Sequence, residues 1–143
     1  NSAVGAVTRL VDMGIEPFLL SSSLIGVVAQ RLVRVLCSDC REPHRADAAE
    51  CELLGADPSS APTIYRPVGC PVCNQRGYRG RTGIYEVVAI DEPLRRQIHE
   101  RASEQALEMT ARESGPGIRQ DGMLKVLAGV TSLDEVLRVT RED

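Results

Sequence analysis

The chain has 143 residues, 43% of them apolar and 26% charged, with a formal charge of −3. That is room for one ordinary domain or two small subdomains around a modest core, and the balance excludes a disordered polyelectrolyte. The acidic total argues against a nucleic-acid footprint spread over the whole surface.

With three Tyr, one Phe and no Trp, the core has to be built from Val, Leu, Ile and Ala. The longest apolar stretch, Phe18 to Leu36, is broken by three serines, Gln30, Arg31 and Arg34, so it does not read as a membrane span. The opening "NSAVGAVTRL" shows neither an initiator Met nor a signal peptide, and the expectation is a piece of a longer protein. Five cysteines without an export signal suggest a reducing compartment, where CxxC pairs serve metal or redox chemistry.

Taken in chain order, Val4, Val7, Leu10 and Val11 recur at helical spacing over residues 2–13, with Gly14 as the stop. "EPFLLSSS" predicts a short second helix with Pro17 in its first turn. "LIGVVAQRLVRVL" is rich in β-branched residues and is taken as a buried strand, although period alone leaves a helix open. Residues 46–55 predict a short helix and "PTIYRPV" a short extended piece.

"NQRGYRGRTG" reads as a turn-rich stretch before a strand, "IYEVVAI". Asp91 then caps a helix running to about Arg101, with Pro93 in its first turn, and Ser103 opens another that ends near Gly115. "IRQDGMLKVLAGV" and "SLDEVLRVT" predict two more, the last opened by Ser132 and Glu135 as an S-x-x-E capping box. The layout is α/β first, a cysteine-bounded insert next and a helical bundle last.

Cys37 and Cys40 make one C-x2-C pair, and Cys70 and Cys73 a second after an insert of 29 residues. Two-residue spacers let both thiolates of a knuckle reach one tetrahedral ion at about 2.3 Å. The insert exceeds the common ribbon spacing of roughly 15–20 residues, yet loop closure costs grow only slowly with length. The competing readings are two disulfides, thioredoxin-like redox chemistry, or chance. Structural zinc is preferred, because redox chemistry needs only one pair. Cys51, without a partner at ligand spacing, is expected to be a small buried residue. His44 could compete as a ligand but is expected to be exposed.

Chemistry is otherwise sparse. The only lysine, Lys125, lies in "DGMLKVLAG", so no G-x-x-x-x-G-K-[ST] phosphate loop exists in the chain. His44 and His99 stand in polar helix or loop contexts, which argues against a Ser-His-Asp triad. The acid pairs Asp91/Glu92 and Asp134/Glu135 sit at helix starts, where capping explains them. From Arg76 to Gly83, Arg76, Arg79 and Arg81 alternate with Gly77, Gly80 and Gly83 around Tyr78. Such a stretch is either a solvated turn or a ligand loop, since glycines admit a ligand to the backbone and arginines bind phosphate or stack on a base. Nucleic-acid binding is the rival use.

The runs "NSAVGAVTRLVDMGIEPFLLSSSLIGVVAQRLVRVLC" and "CPVCNQRGYRGRTGIYEV" resemble the C-terminal part of the type II secretion ATPase family, general secretory pathway protein E. The serine run and "AQRLVR" favour the secretion branch over the type IV pilus extension ATPases. The resemblance implies an α/β fold: the C-terminal part of a RecA-like P-loop ATPase core, with an inserted tetracysteine zinc subdomain and a C-terminal helical bundle. On that reading residues 1–36 end the core, 37–73 form the zinc subdomain, 74–90 return to the core by a loop and strand, and 91–143 form the helical subdomain.

The resemblance further implies a homo-hexameric motor that binds ATP and Mg, with its phosphate loop, acidic and histidine boxes upstream of this chain. Zinc would be held by Cys37, Cys40, Cys70 and Cys73. The "GRTG" stretch, and in it Arg81, Thr82 and Gly83, would lie near the adenine and ribose of bound nucleotide. No catalytic residue falls in the chain, so the chain alone is expected to be inactive. The implied partners are inner-membrane secretion platform proteins, not nucleic acid, with a cytoplasmic protein attached peripherally to the inner membrane. A pilus assembly ATPase and a non-catalytic zinc-binding interaction module are the alternatives.

Overall fold

The computed structural model describes residues 2–141. Helix α1 (Ala3–Asp12) starts where the Ser2 side chain accepts the Gly5 N–H at 3.2 Å. Pro17 opens α2 (Pro17–Ser23). There Ser21 and Ser22 turn their hydroxyls onto the Phe18 carbonyl at 3.0 and 2.9 Å, and Ser23 bonds that of Leu19. Hydroxyls that return to the preceding turn satisfy its carbonyls and make a short serine helix tolerable.

The β-branched run forms strand β1 (Gly26–Leu36), as expected, but the strand is not buried. With a single partner strand its residues alternate between exposed and half-buried, Val28 and Leu32 stand in the open, and only Val33 and Leu36 are buried. It pairs with β4 (Tyr78–Ala89) in a two-stranded sheet. β4 begins well before "IYEVVAI": the stretch read as a turn, from Tyr78 to Gly83, is already strand. Between them lie β2 (Glu42–Arg45), α3 (Ala48–Leu54) and β3 (Thr63–Arg66).

β2 has no signature in "EPHR"; it exists because β3 pairs with it antiparallel, setting Glu42 opposite Arg66. α3 carries a capping box in which Asp47 accepts the Glu50 N–H at 2.8 Å and Glu50 accepts the Asp47 N–H at 3.0 Å. The last four helices are α4 (Glu92–His99), α5 (Glu104–Ser114), α6 (Ile118–Leu127) and α7 (Leu133–Val139), with Asp91, Ser103 and Ser132 as caps for α4, α5 and α7.

The chain divides into two compact units, Asn1–Gln30 with Tyr85–Ile118, and Arg31–Ile84 with Arg119–Asp143. In the first, α1 and α4 pack against α5, and α2 against α4, around Val4, Val7, Leu20, Val88, Leu94 and Leu107. Burying each such side chain contributes about 1.5–3 kcal/mol. A buried carboxylate, Glu86, pairs in this unit with Arg112, whose Nη1 also donates to the Gly115 carbonyl at 3.3 Å.

In the second unit, Val33, Ile64, Ile84, Val126 and Val136 are fully buried. Its turn between α6 and α7 is clasped from three sides. Leu36 N–H donates to the Val130 carbonyl at 2.9 Å, Thr131 Oγ1 to the Arg34 carbonyl at 2.7 Å, and Arg41 Nη1 to the Gly129 carbonyl at 2.6 Å.

Candidate functional site

The two C-x2-C pairs meet in the second unit. Sγ of Cys37 is 3.8 Å from that of Cys70, Cys40 is 3.8 Å from Cys73, and Cys70 is 3.7 Å from Cys73. All four sulfurs lie within 4.8 Å of one another, and none is in a disulfide. A tetrahedron with metal–sulfur bonds of about 2.3 Å has edges of about 3.8 Å. The sulfurs are therefore spaced as ligands of one ion.

Backbone amides reinforce that reading. Gly69 N–H points at Cys40 Sγ at 3.3 Å, Cys70 N–H at Cys73 Sγ at 3.3 Å, and Gly77 N–H at Cys73 Sγ at 3.2 Å. Burial opposes ionisation of Cys73, but the amides of Cys70 and Gly77 outweigh it and hold its thiol down to about 6. Burial pushes the Cys40 thiol up to about 11.

Gly77 is built into this knuckle. At φ 78 its Cβ would stand 2.6 Å from Pro67 Cβ, and its carbonyl accepts the Cys37 N–H at 3.0 Å. No substituted residue fits there without moving the knuckle.

His44 takes no part in the cluster. It lies in strand β2, not in a loop or helix, and its Nε2 meets Glu50 Oε2 at 3.1 Å. Cys51 is fully buried, as expected, with its Sγ 3.7 Å from the Ala46 carbonyl oxygen.

The same unit carries two clefts that share Arg34 and Arg81. One, of about 400 Å³, is lined by Arg34, Arg76, Tyr78, Gly80 and Arg81; the other, of about 510 Å³, by Leu32, Arg34, Arg81 and Arg138. In a regular strand, Tyr78 and Arg81 would point to opposite faces, because side chains alternate. Gly80, at φ 82 with open space where a Cβ would be, interrupts that alternation and lets both line one cleft. The Arg34 guanidinium carbon lies over the Tyr78 ring, 4.2 Å from its centroid, and Arg34 pairs with Glu135. Thr82 is half-buried and Gly83 buried, and neither lines these clefts.

With this geometry in place, comparison with known proteins is decisive. The family described as "Type II/IV secretion system protein" matches residues 1–138. The chain belongs to that family. It is 66% identical over its whole length to "Type II secretion system protein E" of Pseudomonas aeruginosa, covering 28% of that relative. It is 57% identical over 142 residues, 99% of its length, to "Type II secretion system ATPase E" of Vibrio cholerae, again 28% of the relative. The "Putative type II secretion system protein E" of Escherichia coli is 49% identical over 139 residues, 97% of this chain and 28% of the relative. The chain thus spans little more than a quarter of the length of these type II secretion relatives.

In this secretion-family chain the four predicted cysteines come together, and Arg81 reaches a cleft. The expected capping box at α7 is only half formed. Ser132 Oγ accepts the Glu135 N–H at 3.2 Å, but the Glu135 carboxylate turns to Arg34 and Arg138 instead of the Ser132 N–H. Capping therefore does not account for Glu135. Arg34 and Arg138 escaped notice as cleft residues. The alternation along β1, which sets Leu32 and Arg34 on one face, is the signal that could have found the first of them.

Proposed function

We propose that this chain supplies the zinc subdomain and a nucleotide-facing ribbon to a hexameric, cytoplasmic traffic ATPase that powers type II secretion. It would be the C-terminal portion of that protein, ending a RecA-like core, with its last four helices divided between the two compact units rather than gathered in one bundle. The observation that carries this is the 57% identity, over nearly the whole chain, to a relative named as a secretion ATPase. The names of the relatives favour secretion over pilus assembly.

Zinc bound by Cys37, Cys40, Cys70 and Cys73 would supply a closed tetrahedral clasp and leave no open coordination position for catalysis. Arg81 takes the nucleotide role. Its guanidinium is permanently charged, planar and exposed on a cleft, as a purine stack requires. ATP phosphates and Mg would be held by residues outside this chain, whose single lysine lies in α6. Hydrolysis therefore belongs to the whole protein. Attachment to inner-membrane platform proteins would be peripheral; among the described residues no helix is long and apolar enough to cross a membrane.

The test is nucleotide affinity and turnover of the full-length protein and its Arg81→Ala and Arg81→Lys variants, with zinc content checked in each. Arg81→Ala should weaken ATP binding by roughly 1–2 kcal/mol, with turnover at saturating ATP less affected. Lysine should rescue poorly, because a compact ammonium cannot stack as a plane. Unchanged affinity with zinc intact would return the stretch to a solvated strand. Preserved affinity with a fall in turnover would place Arg81 at a subunit interface instead.

A further inference from the structure

Glu135 is a buried acid that neither the α7 cap nor the proposed nucleotide contact explains. Its side chain has no exposed surface, although it carries a charge. Both carboxylate oxygens are engaged. Oε2 accepts from Arg34, through Nε and through the backbone N–H at 3.2 Å, and Oε1 accepts from Arg138 Nε at 2.6 Å.

A contact circuit closes around it. Arg34 stacks on Tyr78, Tyr78 Oη meets Ser132 Oγ at 2.6 Å, and Ser132 Oγ accepts the Glu135 N–H at 3.2 Å. β1, β4 and the first turn of α7 are thereby joined in one circuit, in which the carboxylate supplies the link to Arg34. Burying an ion pair is seldom a net gain in stability, since desolvation costs about as much as the attraction returns. What it does give is a fixed geometry, and the geometry fixed here is that of the arginines in the clefts.

Arg34 and Arg138 are both committed to Glu135, whereas the Arg81 guanidinium makes no hydrogen bond or ion pair among the described residues. Yet Arg34 and Arg81 share both clefts, and Arg138 shares the second. Without the carboxylate, three like charges would crowd one surface, and the most weakly held, Arg81, would be displaced.

We propose that Glu135 is a positioning residue: by holding Arg34 over Tyr78 and drawing Arg138 to its other oxygen, it keeps Arg81 poised as the cleft's free guanidinium for a nucleotide base. This rests on the nucleotide reading of Arg81 and adds to it a residue that acts through Arg81 without touching the ligand.

A double-mutant cycle in the full-length protein tests it, with ATP as the probe and zinc content as the control. Glu135→Gln should weaken ATP binding about five- to tenfold, within the usual range of coupling between residues in one network. It should act on KM and leave kcat at saturating ATP nearly as it was. On an Arg81→Ala background, Glu135→Gln should cost nothing further, because there is no longer a guanidinium to position. Fully additive losses, an unchanged affinity, or a fall in kcat with KM preserved would each overturn the positioning role. Should Glu135→Gln fail to fold, Tyr78→Leu removes the surface under Arg34 and leaves the Glu135 pairs intact, and the same non-additivity with Arg81→Ala is required of it. The two readings separate cleanly. An Arg81→Ala variant with normal affinity removes the nucleotide reading and this proposal together, whereas a weakened Arg81→Ala with additive Glu135→Gln removes the positioning role alone.

Discussion

Glu135 has two opposing influences on its proton. Burial raises its pKa, but hydrogen bonds from Arg34 and Arg138 and the attraction of Arg34 outweigh it, so the carboxyl ionises below its usual range. A carboxyl depressed on folding contributes stability that is fully present above its ordinary pKa and is lost as pH falls through the lower, folded value. The second unit should therefore hold α7 in place on acidification past the ordinary carboxylate range and release it only below. In Glu135→Gln that acid-dependent part should vanish, leaving a variant less stable at neutral pH by about 2 kcal/mol, since the arginine heads are partly solvated. Acid unfolding of the two proteins, followed by hydrogen exchange in α7, measures it; coincident curves would contradict it. None of this was legible in "SLDEVLRVT". The S-x-x-E spacing correctly gave Ser132 as the cap, but the destination of the Glu135 side chain depends on Arg34, 101 residues away, and no local pattern carries that. Gly80 was legible as a special position. Its neighbours were read as a turn because closely spaced glycines favour turns, whereas its left-handed φ is accommodated inside a strand.

At the scale of elements, local signals served well where they were strong. The caps read at Asp91, Ser103 and Ser132 all form, because a side-chain acceptor beside a free amide is a short-range fact, and the structure adds two that were not singled out, at Ser2 and Asp47. β1 was legible from its β-branched run, while β2 was not, since Pro43 and its charged neighbours become a strand only through pairing with β3. The knuckles were legible from spacing alone, and their geometry yields a prediction. Protein prepared without added metal should contain one zinc per chain by elemental analysis. Cys51→Ser should keep that zinc, because Cys51 lies outside the cluster, and Cys37→Ser with Cys73→Ser should lose it. Because metal binding is coupled to folding, chelation should raise hydrogen exchange first between Asp39 and Val72. A stoichiometry near zero, or zinc retained by the double variant, would contradict the clasp.

At the scale of the whole molecule, the chain divides into two compact units, and strands β1 and β4 each contribute residues to both. Residues 26–30 and 85–89 lie in the first, and residues 31–36 and 78–84 in the second. The last four helices are shared out likewise, α4 and α5 to the first and nearly all of α6 with α7 to the second. That division was beyond a linear reading, which groups neighbours in sequence, whereas paired strands join residues far apart in the chain. The central claim is that the arginine-lined stretch of β4 faces nucleotide in the assembled protein. The most direct measurement is photo-crosslinking of the full-length protein with an azido-adenine analogue of ATP, followed by mapping of the labelled peptide. The account predicts label within residues 76–83 that is displaced by excess ATP and diminished in Arg81→Ala. Label confined to peptides outside this chain, or label on this stretch that excess ATP fails to displace, would contradict it.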